Sequence, residues 1–198
     1  HQSVSYYKLK NQMRFVSKII SLAVLALTSN LSQAEAYPMP RSLAPEFSGL
    51  NAVDANMEFT KLSLSDFKGK YVVLVFYPFD FTYVCPTELI SFSENVSKFK
   101  ELGAEVIGIS TDSHFTHLAW LKQNRAEGGL GKIEYPLIAD ISKQMSKDYG
   151  VLVEEEGDPM RGAAIRGMFI LYTNHKIRSV QINDDAVGRS VDEVLRLI

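Results

Sequence analysis

Residues 71–77 read YVVLVFY, an unbroken run of β-branched and aromatic side chains between Gly69 and Pro78. A strand with one wet face alternates apolar and polar residues. A run without alternation suits a strand covered on both faces, the place of a central strand in a parallel sheet. From Pro86 onward, Leu89, Phe92, Val96 and Phe99 recur at three- and four-residue spacing, and Gly103 closes the segment. Proline at the start and glycine just past the end punctuate a helix. Val106 to Ser110 (VIGIS) then reads as a second strand. Residues 71–110 are therefore a strand–helix–strand unit, whose crossover is expected to be right-handed and parallel.

The rest of the chain extends this unit. Asp112 or Ser113 can cap a helix running to about Asn124, with Leu118, Trp120 and Leu121 to pack. Leu137 to Ala139 reads as a strand, and Ile141 to Tyr149 as a short helix ended by Gly150. Gly167–Tyr172 and Ile177–Ile182 flank the turn Thr173-Asn174-His175-Lys176 and suit a β-hairpin. Ser190 with Glu193 forms a capping box for a helix with the apolar stripe Val191, Val194, Leu195 and Ile198. The order β-α-β-α-β-α-β-β-α predicts an α/β fold of the thioredoxin-like kind, a mixed central sheet flanked by helices, with one inserted helix.

Composition narrows the function classes. With 46% hydrophobic and 22% charged residues in 198, the chain has the balance of an ordinary globular domain. Its net charge of −2 offers no basic field to attract nucleic acid. One cysteine, Cys85, excludes an intramolecular disulfide, a CxxC redox pair and a cysteine-rich zinc site within these residues. That leaves a bland buried thiol or a lone reactive one. From Met13, a basic start (Arg14, Lys18) leads into the apolar run Ile19–Leu27 and ends at Ala34-Glu35-Ala36. These are the three parts of a secretory signal peptide, and a run of nine residues is far too short to span a bilayer. The expected organisation is an upstream segment and signal peptide over 1–36 and one domain over 37–198. The expected location is outside the cell or in the endoplasmic reticulum lumen.

Cys85 falls where the loop after the central strand meets the next helix. Unpaired backbone N–H groups and the positive end of the helix dipole favour a thiolate there, and the thiolate is the nucleophile. Its surroundings read Phe76-Tyr77-Pro78-Phe79-Asp80-Phe81-Thr82-Tyr83-Val84-Cys85-Pro86-Thr87-Glu88-Leu89. This P-x-x-x-T-x-x-C pattern resembles the active-site motif of the peroxiredoxins, and the longer FYPxDFTxVCPTE form that of the typical two-cysteine subfamily. The resemblance runs from about Leu43 to Ile198. It takes in Ser65–Val73, Asp112–Phe115, His117–Trp120, Gly128–Gly131, Arg166-Gly167 and Val187–Glu193.

The resemblance implies a thiol peroxidase without metal, haem or other cofactor, acting on hydrogen peroxide and organic hydroperoxides. It implies that Cys85 becomes a sulfenic acid and is recycled by thioredoxin or another thiol, in homodimers that often assemble into decamers. It assigns Arg166 to the thiolate and Arg189 to a supporting place. Thr82 can offer its hydroxyl to sulfur and peroxide, or simply serve the turn. Pro78, lacking an N–H, can wall the pocket or merely end the strand. Glu88 can complement the helix dipole and orient Arg166. The family also carries a resolving cysteine in a tail after the helix that starts at Ser190, and none is present here. An uncapped final helix favours truncation over a natural one-cysteine variant.

Other motifs point elsewhere less strongly. His114 and His117 are three apart on one helix and could ligate a metal, but no further ligand is evident, so packing and capping are expected. Gly128-Gly129-Leu130-Gly131 lacks the strand and spacing of a dinucleotide fingerprint. It matches family members sensitive to over-oxidation. Glu154–Glu156 suits a solvated loop, and Asn95-Val96-Ser97 is a glycosylation sequon inside the predicted helix. A holdase chaperone or extracellular signalling protein, and a fold relative with an inert thiol, remain the alternatives.

Overall fold

The computed structural model describes residues 37–82 and 85–198, with the backbone alone at Cys85. The expected signal segment lies outside the described residues. The strands are β1 (Leu50–Val53), β2 (Phe59–Leu62), β3 (Tyr71–Phe76), β4 (Ala104–Ser110), β5 (Leu137–Ala139), β6 (Arg166–Leu171) and β7 (Ile177–Asn183). They form one sheet in the order β2-β1-β5-β4-β3-β6-β7. β3, β4 and β5 run parallel, while β6 pairs antiparallel with both β3 and β7.

The YVVLVFY run lies in the interior of the sheet, where Leu74 pairs with Ile107 of β4 and Phe169 of β6. Its side chains alternate between two separate apolar layers. Val73, Val75 and Tyr77 join Leu89, Phe92, Phe99 and Trp120 on one face. Val72, Leu74 and Phe76 join Phe47, Leu64, Tyr149 and Phe169 on the other. Every residue from Val72 to Tyr77 is fully buried, which is why no polar residue interrupts the run.

The helices are α1 (Cys85–Glu94), α2 (Val96–Glu101), α3 (His114–Lys122), α4 (Gln144–Asp148) and α5 (Val191–Leu197). Apolar periodicity alone predicts one helix across α1 and α2, but the structure breaks it at Asn95. The Asn95 side-chain amide donates to the Ser91 carbonyl at 2.9 Å, taking the acceptor a continuing helix would use. α3 is capped by Ser113, whose hydroxyl accepts from the Thr116 amide at 3.1 Å. Ser190 caps α5 through the Glu193 amide at 3.4 Å, while the Glu193 carboxylate turns to Arg196 at 2.7 Å instead of closing the box.

The β1–β2 hairpin goes unseen in the sequence pattern. Its strands have four residues each, too short for alternation to register. The turn is built by Asp54, whose carboxylate takes the amides of Asn56 and Glu58, both at 2.9 Å. α4 starts later than its apolar pattern suggests because buried Asp140 holds the approach. Its carboxylate accepts from the amides of Met145 and Ser146, at 3.2 and 2.7 Å.

Candidate active site

β3 delivers the chain to a short loop, Tyr77–Thr82, and α1 begins at Cys85. Pro78 is buried against the core, and Thr82 is half-buried. The Thr82 hydroxyl donates to the Phe79 carbonyl at 3.1 Å, closing a turn. Phe81, between Asp80 and Thr82, has a φ of +58°. A bulky residue holds such a conformation only when its neighbours impose it. Opening α1 sets the Cys85 backbone at the positive end of a ten-residue helix.

Glu88, one turn into α1, is the centre of a buried charge cluster. Arg189, just before α5, donates to it three times: backbone N–H at 2.7 Å, Nε at 2.8 Å and Nη2 at 2.5 Å. Arg189 Nη1 meanwhile reaches the carbonyls of Phe76 at 2.8 Å and Gly167 at 2.6 Å. One guanidinium thus ties the end of β3, the start of β6 and the first turn of α1. Arg166, the first residue of β6, donates from Nη1 to Glu88 at 3.3 Å and from Nε to the Asp185 carbonyl at 2.6 Å. Glu88, Arg166 and Arg189 are all at least nine-tenths buried.

Burial opposes the charge on Glu88, but the hydrogen bonds and charge of Arg189, with the charge of Arg166, hold its carboxyl below the ordinary value of 4.5. A depressed folded-state pKa contributes stability that is complete above 4.5 and is lost as the pH falls through the lower, folded value. Thermal denaturation should therefore show stability decreasing as the pH falls from 4.5 towards the folded value. In Glu88→Gln that part of the acid response should shrink. The variant should also lose about 3–5 kcal/mol at neutral pH, because two buried guanidinium groups are left without their anion. An unchanged melting temperature at pH 7 would contradict the arrangement.

Residues 40–180 match the AhpC/TSA family. The chain belongs to this family, the peroxiredoxins. It is 52% identical over 155 residues to peroxiredoxin-2 of Rattus norvegicus, covering 78% of this chain and 75% of that protein. To the mitochondrial thioredoxin-dependent peroxide reductase of Drosophila melanogaster it is 50% identical over 155 residues, covering 78% of this chain and 63% of that one. Among solved structures, the reduced 2-Cys peroxiredoxin of Plasmodium vivax superposes with a TM-score of 0.75 at 40% identity, over 80% of this chain and 79% of the other.

The fold brings five of the six candidate residues singled out in the sequence to the two ends of one small region. Pro78 and Thr82 lie on the loop before α1, and Glu88, Arg166 and Arg189 meet on its first turn. The sixth, Cys85, supplies the start of the helix between them, and its side chain lies outside the described residues. Beside it runs a groove of about 470 Å³ lined by Phe81, Thr82, Pro86, Thr87, Ile90 and the Gly128-Gly129 segment.

The other motifs have structural explanations. His114 packs tilted against Phe115 and edge-to-face against Phe59, with ring centroids at 4.1 and 4.9 Å, and His117 is fully buried. Among the described residues no group of three or more histidine, cysteine, aspartate and glutamate side chains could hold a metal. The Gly128-Gly129 turn is tied to α3, since the Trp120 indole donates to the Gly128 carbonyl at 3.2 Å. Gly129 lies so close to the Gln123 backbone that a Cβ would collide with it. Glu154–Glu156 are exposed.

The sequence pattern does not reveal the buried place of Asp80. Its place inside the motif, between Pro78 and Thr82, is the one sequence signal, since nothing local marks an aspartate in a loop for burial. The side chain is fully buried and paired with His117 at 2.7 Å.

Proposed function

We propose that this thiol peroxidase works through Cys85, with Arg166, Thr82 and Pro78 shaping the peroxide site and Glu88 and Arg189 holding Arg166 in place. The observation carrying this reading is that the one cysteine opens α1 on the same turn where Glu88 holds Arg166. The Cys85 thiolate attacks one peroxide oxygen, a sulfur–oxygen bond forms and the oxygen–oxygen bond breaks. The departing oxygen takes a proton and leaves as water or alcohol, and Cys85 becomes a sulfenic acid. Negative charge grows on the departing oxygen, so a fixed cation and fixed donors stabilise the transition state more than the ground state. Arg166 stays charged and is held from two sides, by Glu88 and the Asp185 carbonyl, so it need not reorganise during reaction. Buried Pro78 contributes no N–H and walls the site against water.

One thiol then condenses with the sulfenic acid to give a disulfide and water, and a second exchanges it to return Cys85. Only one cysteine is present in these 198 residues, so a thiol outside them completes the cycle. The named activity of the Drosophila melanogaster relative supports a thioredoxin-type reductant. Homodimers, assembling further into decamers, are part of this reading.

The Met13–Ala36 pattern supports removal of residues 1–36 and delivery of 37–198 to the endoplasmic reticulum lumen or the exterior. Among the described residues no helix is long and apolar enough to cross a membrane. Expression from Met13 in a secreting eukaryotic host tests both halves. The released protein should have an intact mass starting near Tyr37 and should consume hydrogen peroxide when supplied with thioredoxin, thioredoxin reductase and NADPH, or with a small thiol. Retention of residues 13–36 would overturn the first half, and no peroxide consumption with any thiol the second.

A further inference from the structure

The peroxidase reading leaves one buried charged pair without a role. His117, on α3, and Asp80, on the loop between β3 and α1, have side chains with no exposure to solvent. The ring nitrogens of His117 face two acceptors. Nδ1 lies 2.7 Å from Asp80 Oδ2, and Nε2 lies 3.1 Å from the Ile138 carbonyl of β5. Because the carbonyl can only accept, Nε2 must carry a proton. A proton is also needed between Nδ1 and the Asp80 carboxylate, since two lone pairs would otherwise meet at 2.7 Å. Both contacts are satisfied together only when both protons are present; a neutral ring, with its one proton on either nitrogen, keeps one contact and leaves the other as two facing lone pairs.

The remaining contacts fasten Asp80 in place. Tyr77 donates to Asp80 Oδ1 at 2.8 Å, and the Asp80 amide donates to Asp112 Oδ2 at 2.9 Å, an oxygen that Ser110 also contacts at 2.8 Å. Tyr77 and Asp112 are thus the other titratable groups facing the pair, alongside Ser110 and the Ile138 carbonyl. Phe81, at φ +58°, follows at once, and then Thr82, whose hydroxyl closes on Phe79. A strained residue keeps its conformation only while its surroundings over-determine it, and Asp80 is the buried anchor beside it.

Resting on the peroxidase reading, we propose that His117 is a positioning residue. Through its buried ion pair with Asp80 it locks the Pro78–Thr82 loop in the conformation that presents Thr82 and Pro78 to the peroxide. Loss of one of the two protons leaves either the Asp80 or the Ile138 contact unsatisfied and loosens that loop.

Two effects compete at the ring. Burial disfavours the charge on His117, but the Asp80 hydrogen bond and charge, with the Ile138 carbonyl, raise its pKa above the ordinary 6.5. Burial likewise raises Asp80, against the pull of His117. The charge on His117 therefore contributes stability that is complete below 6.5 and is lost as the pH rises through the higher, folded value.

The test combines hydrogen–deuterium exchange of residues 79–82, corrected for intrinsic pH dependence, with the second-order rate of Cys85 oxidation by hydrogen peroxide. Both are followed from pH 5.5 to 9 in the reduced protein. The native protein should show loop exchange rising, and rate falling, on the alkaline side. His117→Phe keeps the ring volume but removes both donors. It should exchange the loop about tenfold faster at every pH and react about ten- to a hundredfold more slowly.

Asp80→Asn separates charge from position. Its amide can donate to a neutral Nδ1 while its oxygen accepts from Tyr77, so the network closes without the labile proton. The alkaline loosening should disappear in Asp80→Asn, with a smaller rate loss than in His117→Phe. Native exchange and rate in His117→Phe would overturn the proposal. So would an unaltered alkaline limb in Asp80→Asn, a result that does not depend on His117→Phe folding. Exchange is read without peroxide, so a failed peroxidase reading would show as absent turnover with the loop response intact.

Discussion

Replacing Cys85 by serine is expected to abolish peroxide consumption while leaving the fold in place. A serine hydroxyl is not ionised near neutral pH, whereas a cysteine thiol with an ordinary pKa of ~8.5 is already partly thiolate and gains more at a helix start. The exchange adds no bulk, and serine is a favoured residue where a helix opens, so α1 should persist. The measurement is peroxide consumption in the presence of excess thiol, with circular dichroism and thermal denaturation as the control for folding. A Cys85→Ser protein should run at the rate of the thiol alone. Turnover above that rate would sink the assignment of Cys85. Suppression of protein aggregation that survives the substitution would support a holdase role on the same scaffold, because that role needs no thiolate.

The second large effect is expected at Arg166. In Arg166→Ala the oxidation of Cys85 should slow by about 10²–10³-fold, the scale for losing one fixed donor aimed at developing charge. The fold should survive better than in a Glu88 variant. Glu88 keeps all three hydrogen bonds from Arg189, so no buried carboxylate is left without a cation. Arg166→Lys makes the more exacting comparison. It keeps the charge but not the planar fork that reaches Glu88 and the Asp185 carbonyl together, so recovery should be partial. Stopped-flow measurement of the second-order rate with hydrogen peroxide decides the matter. A native rate in Arg166→Ala would remove Arg166 from the chemistry and leave it a strut between β6 and α1.

Much of this was legible in the residues themselves, for identifiable reasons. YVVLVFY announces a strand buried on both faces, and β3 is that strand, with neighbours on each side. Ser113 and Ser190 mark helix starts because their hydroxyls satisfy amides only a few residues away. These are local interactions, and local interactions are written in local sequence. The break at Asn95 is nearly as local, but apolar periodicity conceals it, because Val96 and Phe99 keep the stripe in phase.

The site divides along the same line. The P-x-x-x-T-x-x-C run places Pro78, Thr82 and Cys85 by chain connectivity alone, and the strand-to-helix turn follows from the residues flanking it. What no spacing reveals is that Arg189, 101 residues from Glu88, grips it with three hydrogen bonds while reaching β3 and β6. Nor does spacing reveal that His117, 37 residues from Asp80, closes on it in the dark of the core. Those partnerships depend on which strands become neighbours, and β3 meets β6 only after the chain has passed through β4 and β5. By itself the sequence determined the central strand, the helix that Cys85 opens and the thiol proposed as the reacting group. The tertiary structure alone decided which charges that group's surroundings would hold, because a buried ion is stable only where distant segments bring it a partner.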